Sequence, residues 1–101
     1  MLRIAGGHLA AGRSVLRVAI IEDQLRIREG LKTLIDGTPG YQCTGSFGSM
    51  EEALQKIPAD LPDAVLVDIG LPGMSGIEGI RALKGKYSGL PVVMLTVYED
   101  D

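Results

Sequence analysis

The sequence has a single cysteine, Cys43, so no disulfide can close within the chain, and a reducing, cytoplasmic setting is the simplest expectation. Histidine is equally scarce. His8 is the only one, and in its Gly- and Ala-rich surroundings it reads as a solvated side chain rather than a phosphate carrier. Long hydrophobic runs are missing too. Apolar runs reach about five residues, far short of the roughly 20 that a membrane-spanning helix needs. The opening MLRIAGGHLAAGRS lacks the continuous apolar core of a signal peptide. Basic residues are not in excess: 10 Lys and Arg stand against 13 Asp and Glu, a net charge of -3. That argues against direct nucleic-acid binding, which draws on clustered positive charge. What remains is an ordinary globular composition, 46% apolar and 23% charged over 101 residues, enough for one small domain.

Residues 1–14 show no periodicity and read as a loose extension, leaving a domain over residues 15–101. The extension contains GHLAAGRS, Gly7 to Ser14, one residue from the phosphate-loop pattern G-x-x-x-x-G-K-[ST], with Arg13 in place of lysine. A true loop of that kind joins a strand to a helix, whereas VLRVAII follows here as a strand, so the match is set aside.

Beyond it, strands and helices alternate. LRVAII at 16–21 reads as a strand. Residues 24–35 place Ile27, Leu31, Leu34 and Ile35 on one helical face, ended by Gly37, Pro39 and Gly40. YQCTGSF at 41–47 is a weaker strand, in which Cys43 reads as a half-buried small hydrophobe. Ser49 and Glu52 form a capping box before a second helix that buries Ala53, Leu54 and Ile57. Residues 64–69 form an apolar strand. Ser75 or Gly76 opens a third helix with Ile77, Ile80 and Leu83 at helical spacing, and LPVVML at 90–95 is a further strand. The order β-α-β-α-β-α-β with apolar strands predicts an α/β fold: a doubly wound parallel sheet covered on both faces. A flavodoxin-like strand order, 2-1-3-4, would make the first and third strands neighbours.

In that arrangement the polar residues that close the strands meet in one crevice: Glu22 and Asp23 after the first, Asp68 at the third, Thr96 after the fourth. Clustered carboxylates repel unless a cation neutralises them. An oxygen-only set without His or Cys suits Mg²⁺ or Mn²⁺. One carboxylate is then left to act as nucleophile, as in enzymes that form aspartyl phosphates. Gly70 and Gly73 let the backbone after Asp68 come close to such a cation, and Pro72 stiffens the turn.

The acidic pair in IIED at 20–23, the run DAVLVDIGLPGMSGIEGIRALK at 63–84 and PVVMLT at 91–96 resemble the receiver domain of bacterial response regulators, most closely those with a helix-turn-helix output in transcription regulation. The similarity covers about residues 16–101. It implies a phosphoprotein of two-component (phosphorelay) signal transduction, not an enzyme beyond its own aspartyl phosphorylation, whose partner is a sensor histidine kinase. Asp68 would be the phosphoacceptor. Asp23, Asp68, Glu22 and the Gly70 backbone carbonyl would hold Mg²⁺. Thr96 would be the switch hydroxyl, and Pro72 and Gly76 would shape the loop after the acceptor.

The family pattern continues with a fourth helix, a fifth strand and a fifth helix, and the lysine that ends its fifth strand has no counterpart here; Lys84 and Lys86 fall at the wrong end of the sheet. Two expectations follow. The strand 90–95 becomes an apolar edge through which the chain could form a homodimer or exchange elements. The alternative function is a receiver-like interaction module without productive phosphotransfer. A haloacid-dehalogenase-type phosphatase is disfavoured, because it needs an aspartate two residues after the nucleophile, where Gly70 stands.

Overall fold

A computed structural model describes residues 15–68 and 76–95 of the chain. Its elements are β1 (Leu16–Ile21), α1 (Leu25–Asp36), β2 (Tyr41–Phe47), α2 (Met50–Lys56) with a 3₁₀ turn at Ile57–Ala59, β3 (Ala64–Asp68), α3 (Gly76–Lys86) and β4 (Val92–Leu95). The four strands form one parallel sheet in the order β2-β1-β3-β4. The expected doubly wound α/β fold is therefore present, with β1 and β3 side by side at its centre.

Alternation along the strands divides the core in two. Leu16, Val18 and Ile20 of β1, with Ala64 and Leu66 of β3, pack with Ile35 of α1 on one face. Ala19 and Ile21, with Val65 and Val67, pack with Met50, Ala53 and Leu83 of α2 and α3 on the other. Both central strands are thus buried on both sides, which is why their sequences carry no polar alternation. Burying a side chain such as Ile35 or Ile21 contributes about 1.5–3 kcal/mol relative to exposure.

Each helix is bounded by local chemistry. Ser49 Oγ accepts a bond from the Glu52 N–H at 3.1 Å, so the expected cap of α2 forms and is worth about 1 kcal/mol. At the end of α1 the Gly37 N–H reaches the Thr33 carbonyl, and Thr38 Oγ1 donates to the Leu34 carbonyl at 2.6 Å. Gly40 then takes φ +88°, a left-handed conformation that glycine adopts without a Cβ penalty, and its carbonyl accepts from Leu16 N at 2.7 Å, starting the β1–β2 ladder. At the amino ends of β1 and β3, Arg17 N donates to Asp63 Oδ2 at 2.8 Å and Asp63 N to the Arg17 carbonyl at 2.7 Å, which pins their register.

Three sequence expectations need correction. The last strand starts at Val92, not at residue 90; Leu90 is buried in the loop before it, where its carbonyl accepts from Lys84 Nζ at 2.9 Å. Leu34 is exposed, because α1 turns Ile35 onto the sheet and leaves Leu34 at the margin of its apolar stripe. Ile77 is exposed as well, and α3 docks through Gly79 and Leu83 instead. Cys43 is half-buried as expected, and burial pushes its thiol pKa up. The extension 1–14, with His8 and its near-match to a phosphate loop, lies outside the described residues, as does Ile69.

Gly79 sets how closely α2 and α3 approach. A Cβ built there would overlap the Met50 side chain, which is fully buried. Gly79→Ala should lower the unfolding free energy by about 1–3 kcal/mol, the usual cost of overpacking, read from urea unfolding followed by circular dichroism. Gly85→Ala, where a Cβ meets nothing, should cost nothing measurable in the same assay.

Candidate functional site

The β1–β3 register runs Ile20 to Leu66 and Ile21 to Val67. The next residue on each strand is a carboxylate, Glu22 on one and Asp68 on the other. Neighbouring parallel strands lie about 4.8 Å apart, so this register places the two side by side at the carboxyl edge of the sheet. The ladder carries on to this level, since Glu22 N donates to the Phe47 carbonyl of β2 at 3.0 Å. Asp23 follows where the chain leaves the sheet for α1 and is exposed. One ligand oxygen from each of Glu22, Asp23 and Asp68 lies within 4.8 Å of the others.

Burial differs sharply among the three. Glu22 is 1% exposed and Asp68 8%, and they are the only buried charged residues among those described. Glu22 Oε2 accepts from the Asp23 N–H at 3.1 Å. Glu22 Oε1 is buried and has no hydrogen-bond partner among the described residues. Burial first, then the adjoining Asp68 carboxyl and the charge of Asp23, push the Glu22 pKa from its ordinary 4.5 up to about 8; the Asp23 N–H opposes them. The crowding of the three carboxylates thus favours the protonated form of Glu22.

The donor set fits a hard divalent ion. It consists of oxygen atoms only, it gathers three carboxylates, and it includes an orphaned buried carboxylate oxygen. Glu22 is the most deeply buried of the three and owns that orphaned atom. Gly70, Pro72 and Thr96 lie outside the described residues; Gly76 is the first residue of α3. Lys84 and Lys86 are in the last turn of α3, at the amino end of β4 and away from the cluster, as the sequence implied.

Arg28 is a contributor that the sequence did not signal. It lies one turn into α1, and its Nη1 donates to the Glu22 carbonyl at 2.8 Å. Nothing in its spacing separates it from Arg26, a solvent-facing arginine of the same turn. A second hollow, lined by Leu61, Pro62, Asp63, Tyr87 and Pro91, lies at the opposite, amino ends of β3 and β4. Its one carboxylate, Asp63, is engaged by the Arg17 N–H.

Comparison with known proteins points the same way. Residues 18–101 match the response regulator receiver domain. The chain is 36% identical over 85 residues to the transcriptional regulatory protein YdfI of Bacillus subtilis, covering 84% of this chain and 39% of that protein. It is 34% identical over 87 residues to the response regulator GacA of Pseudomonas viridiflava, covering 86% of this chain and 41% of that protein. It thus spans well under half the length of these curated relatives. Among solved structures, a LuxR-family two-component response regulator from Aurantimonas sp. SI85-9A1 superposes with a TM-score of 0.78 at 29% identity, covering 85% of this chain and 61% of the other. Among the described residues no helix is long and apolar enough to cross a membrane.

The raised Glu22 pKa has a consequence for stability. A carboxyl that holds its proton more tightly when folded contributes fully below its unfolded pKa and loses that contribution as pH rises through its folded pKa. In EDTA, stability should fall between about pH 4.5 and about pH 8. Urea unfolding at pH 6 and pH 8 checks this, and Glu22→Gln should flatten the difference. Mg²⁺ binding at pH 7 should release a proton, seen as a heat of binding that varies with the ionisation enthalpy of the buffer.

Proposed function

The chain belongs to the response regulator receiver domain family, and from that premise we propose that Asp68 accepts a phosphoryl group from a phosphohistidine of a sensor histidine kinase. The observation that carries this reading is the convergence of Asp68 with Glu22 and Asp23 at the carboxyl edge of the sheet. Asp68 ends a buried strand, so its backbone is fixed by the β3–β4 ladder, where it pairs with Leu95. Its carboxylate is held at the mouth of the crevice and does not swing freely in solvent.

In the transfer, an Asp68 carboxylate oxygen forms a P–O bond as the P–N bond of the phosphohistidine breaks. The imidazole nitrogen keeps the electron pair and takes up a proton. A carboxylate can do this only when it is ionised and aimed along the line of the departing bond. Glu22, Asp23 and Asp68 would hold Mg²⁺ or Mn²⁺, with the Gly70 carbonyl as a further donor. The bound ion would neutralise both the carboxylates and the oxygens of the phosphoryl group. Glu22 would give up its proton to the solvent as the ion is taken up. Thr96 would contribute a hydroxyl to the phosphoryl group, and Pro72 and Gly76 would set the path of the loop from Asp68 to α3. The reading places the chain in the cytoplasm, where a kinase of this class presents its phosphohistidine. The activity and partners of any longer protein that contains this receiver belong to the same proposal.

A second reading is favoured by β4. This four-residue strand pairs with β3 on one side, and its other edge has no strand partner among the described residues. Met94 on it is 47% exposed. A receiver fold that associates with a second copy through this edge, without phosphotransfer, would use that surface.

Two measurements test these readings. Incubation with Mg²⁺ and acetyl phosphate should add one phosphoryl group by intact mass, absent in Asp68→Asn and in EDTA; an unmodified wild-type chain overturns the first reading. Size-exclusion chromatography with light scattering should show a dimer that Met94→Lys dissociates if the second holds; a monodisperse, folded monomer overturns it.

A further inference from the structure

The acidic cluster is assembled from two strand ends, and one of them continues straight into a loop. Asp68 is held by β3. Glu22 and Asp23 stand just past β1: the Glu22 N–H still bonds the Phe47 carbonyl at 3.0 Å, but the Glu22 carbonyl, which leads into Asp23, is held by a side chain. The Arg28 side chain reaches back from α1 and donates from Nη1 to the Glu22 carbonyl at 2.8 Å, a part-buried bond. The same guanidinium lies beside Gly48 in the β2–α2 connection. A Cβ there would stand 3.2 Å from Nη1, tighter than an ordinary contact. Arg28 therefore spans three elements, α1, the end of β1 and the turn after β2, and Gly48 leaves the room it needs.

Resting on the function proposed above, we propose that Arg28 is a positioning residue for the metal-binding pair Glu22–Asp23. Its donor meets the carbonyl of Glu22, so it acts on the cluster through the backbone. Fixing that peptide keeps Glu22 Oε2 against the Asp23 N–H, 3.1 Å away, while Glu22 Oε1 stays buried with no hydrogen-bond partner among the described residues. Groups that orient metal ligands without touching the metal typically change affinity by about 10–100-fold when removed. A single N–H donor makes the contact, so lysine can replace arginine here in a way it cannot at a two-pronged site.

Two readouts on the 101-residue chain test this: Mg²⁺ titration by isothermal calorimetry, and hydrogen exchange of the Asp23 amide in EDTA. Arg28→Ala should weaken Mg²⁺ binding about tenfold or more and speed Asp23 exchange, and Arg28→Lys should recover most of both. Gly48→Ala, which displaces the guanidinium while keeping Arg28, should shift both readouts in the same direction and decides the matter if Arg28→Ala does not fold. A folded Arg28→Ala or Gly48→Ala protein with a lowered Tm but wild-type Mg²⁺ affinity and wild-type Asp23 exchange overturns the positioning role and leaves the proposed function standing. A wild-type chain that binds no Mg²⁺ overturns both.

Discussion

Two carboxylates, Glu22 and Asp68, meet at the ends of adjacent parallel strands in a place almost closed to water. Every other feature of the site answers that constraint. Like charges so close and so poorly solvated cannot both stay ionised without help. The raised pKa of Glu22 favours taking up a proton there, and a divalent cation would relieve the same repulsion. The crowding of the carboxylates is the feature a bound cation would relieve.

The fold keeps that arrangement from relaxing. If Glu22 or Asp68 could turn into solvent, the repulsion would vanish and so would the site. In the fold both are buried at the ends of β1 and β3, strands covered on both faces by Ile35 on one side and by Met50 and Leu83 on the other. The reciprocal bonds between Arg17 and Asp63 at the far end hold the same two strands in register. A slip of one residue there would put Glu22 level with Val67, reverse the faces of one strand and separate the carboxylates. The apolar core therefore acts on the chemistry by denying the acidic residues an escape, and its stability opposes their repulsion.

Much of this was legible in the residues. Strand and helix alternation gave the layer order, because continuous apolar strands can be buried only between helices. Ser49 and Glu52 announced the start of α2 through side-chain chemistry that works locally. Where the reading missed, the deciding interaction was long-range. Ile77 and Leu34 have the spacing of buried residues, yet α3 docks through Gly79 and α1 through Ile35, and which part of an apolar stripe becomes the contact depends on the partner helix or sheet. Leu90 continues the apolar pattern of β4 but belongs to the preceding loop, since pairing with β3 starts at Val92.

By itself the sequence determined the residue types at the strand ends: acids without histidine or cysteine, hence the class of ion they suit, and the glycines and proline that follow Asp68. Those are properties of side-chain chemistry and local backbone freedom, and they need no fold to be read. Only the tertiary structure decided which acid carries the strain. Glu22 and Asp23 are neighbours in sequence, but at the end of β1 the first is buried and the second exposed. Only the structure brought in Arg28, because a guanidinium that crosses from a helix to a strand end is positioned by packing and leaves no mark in spacing or composition.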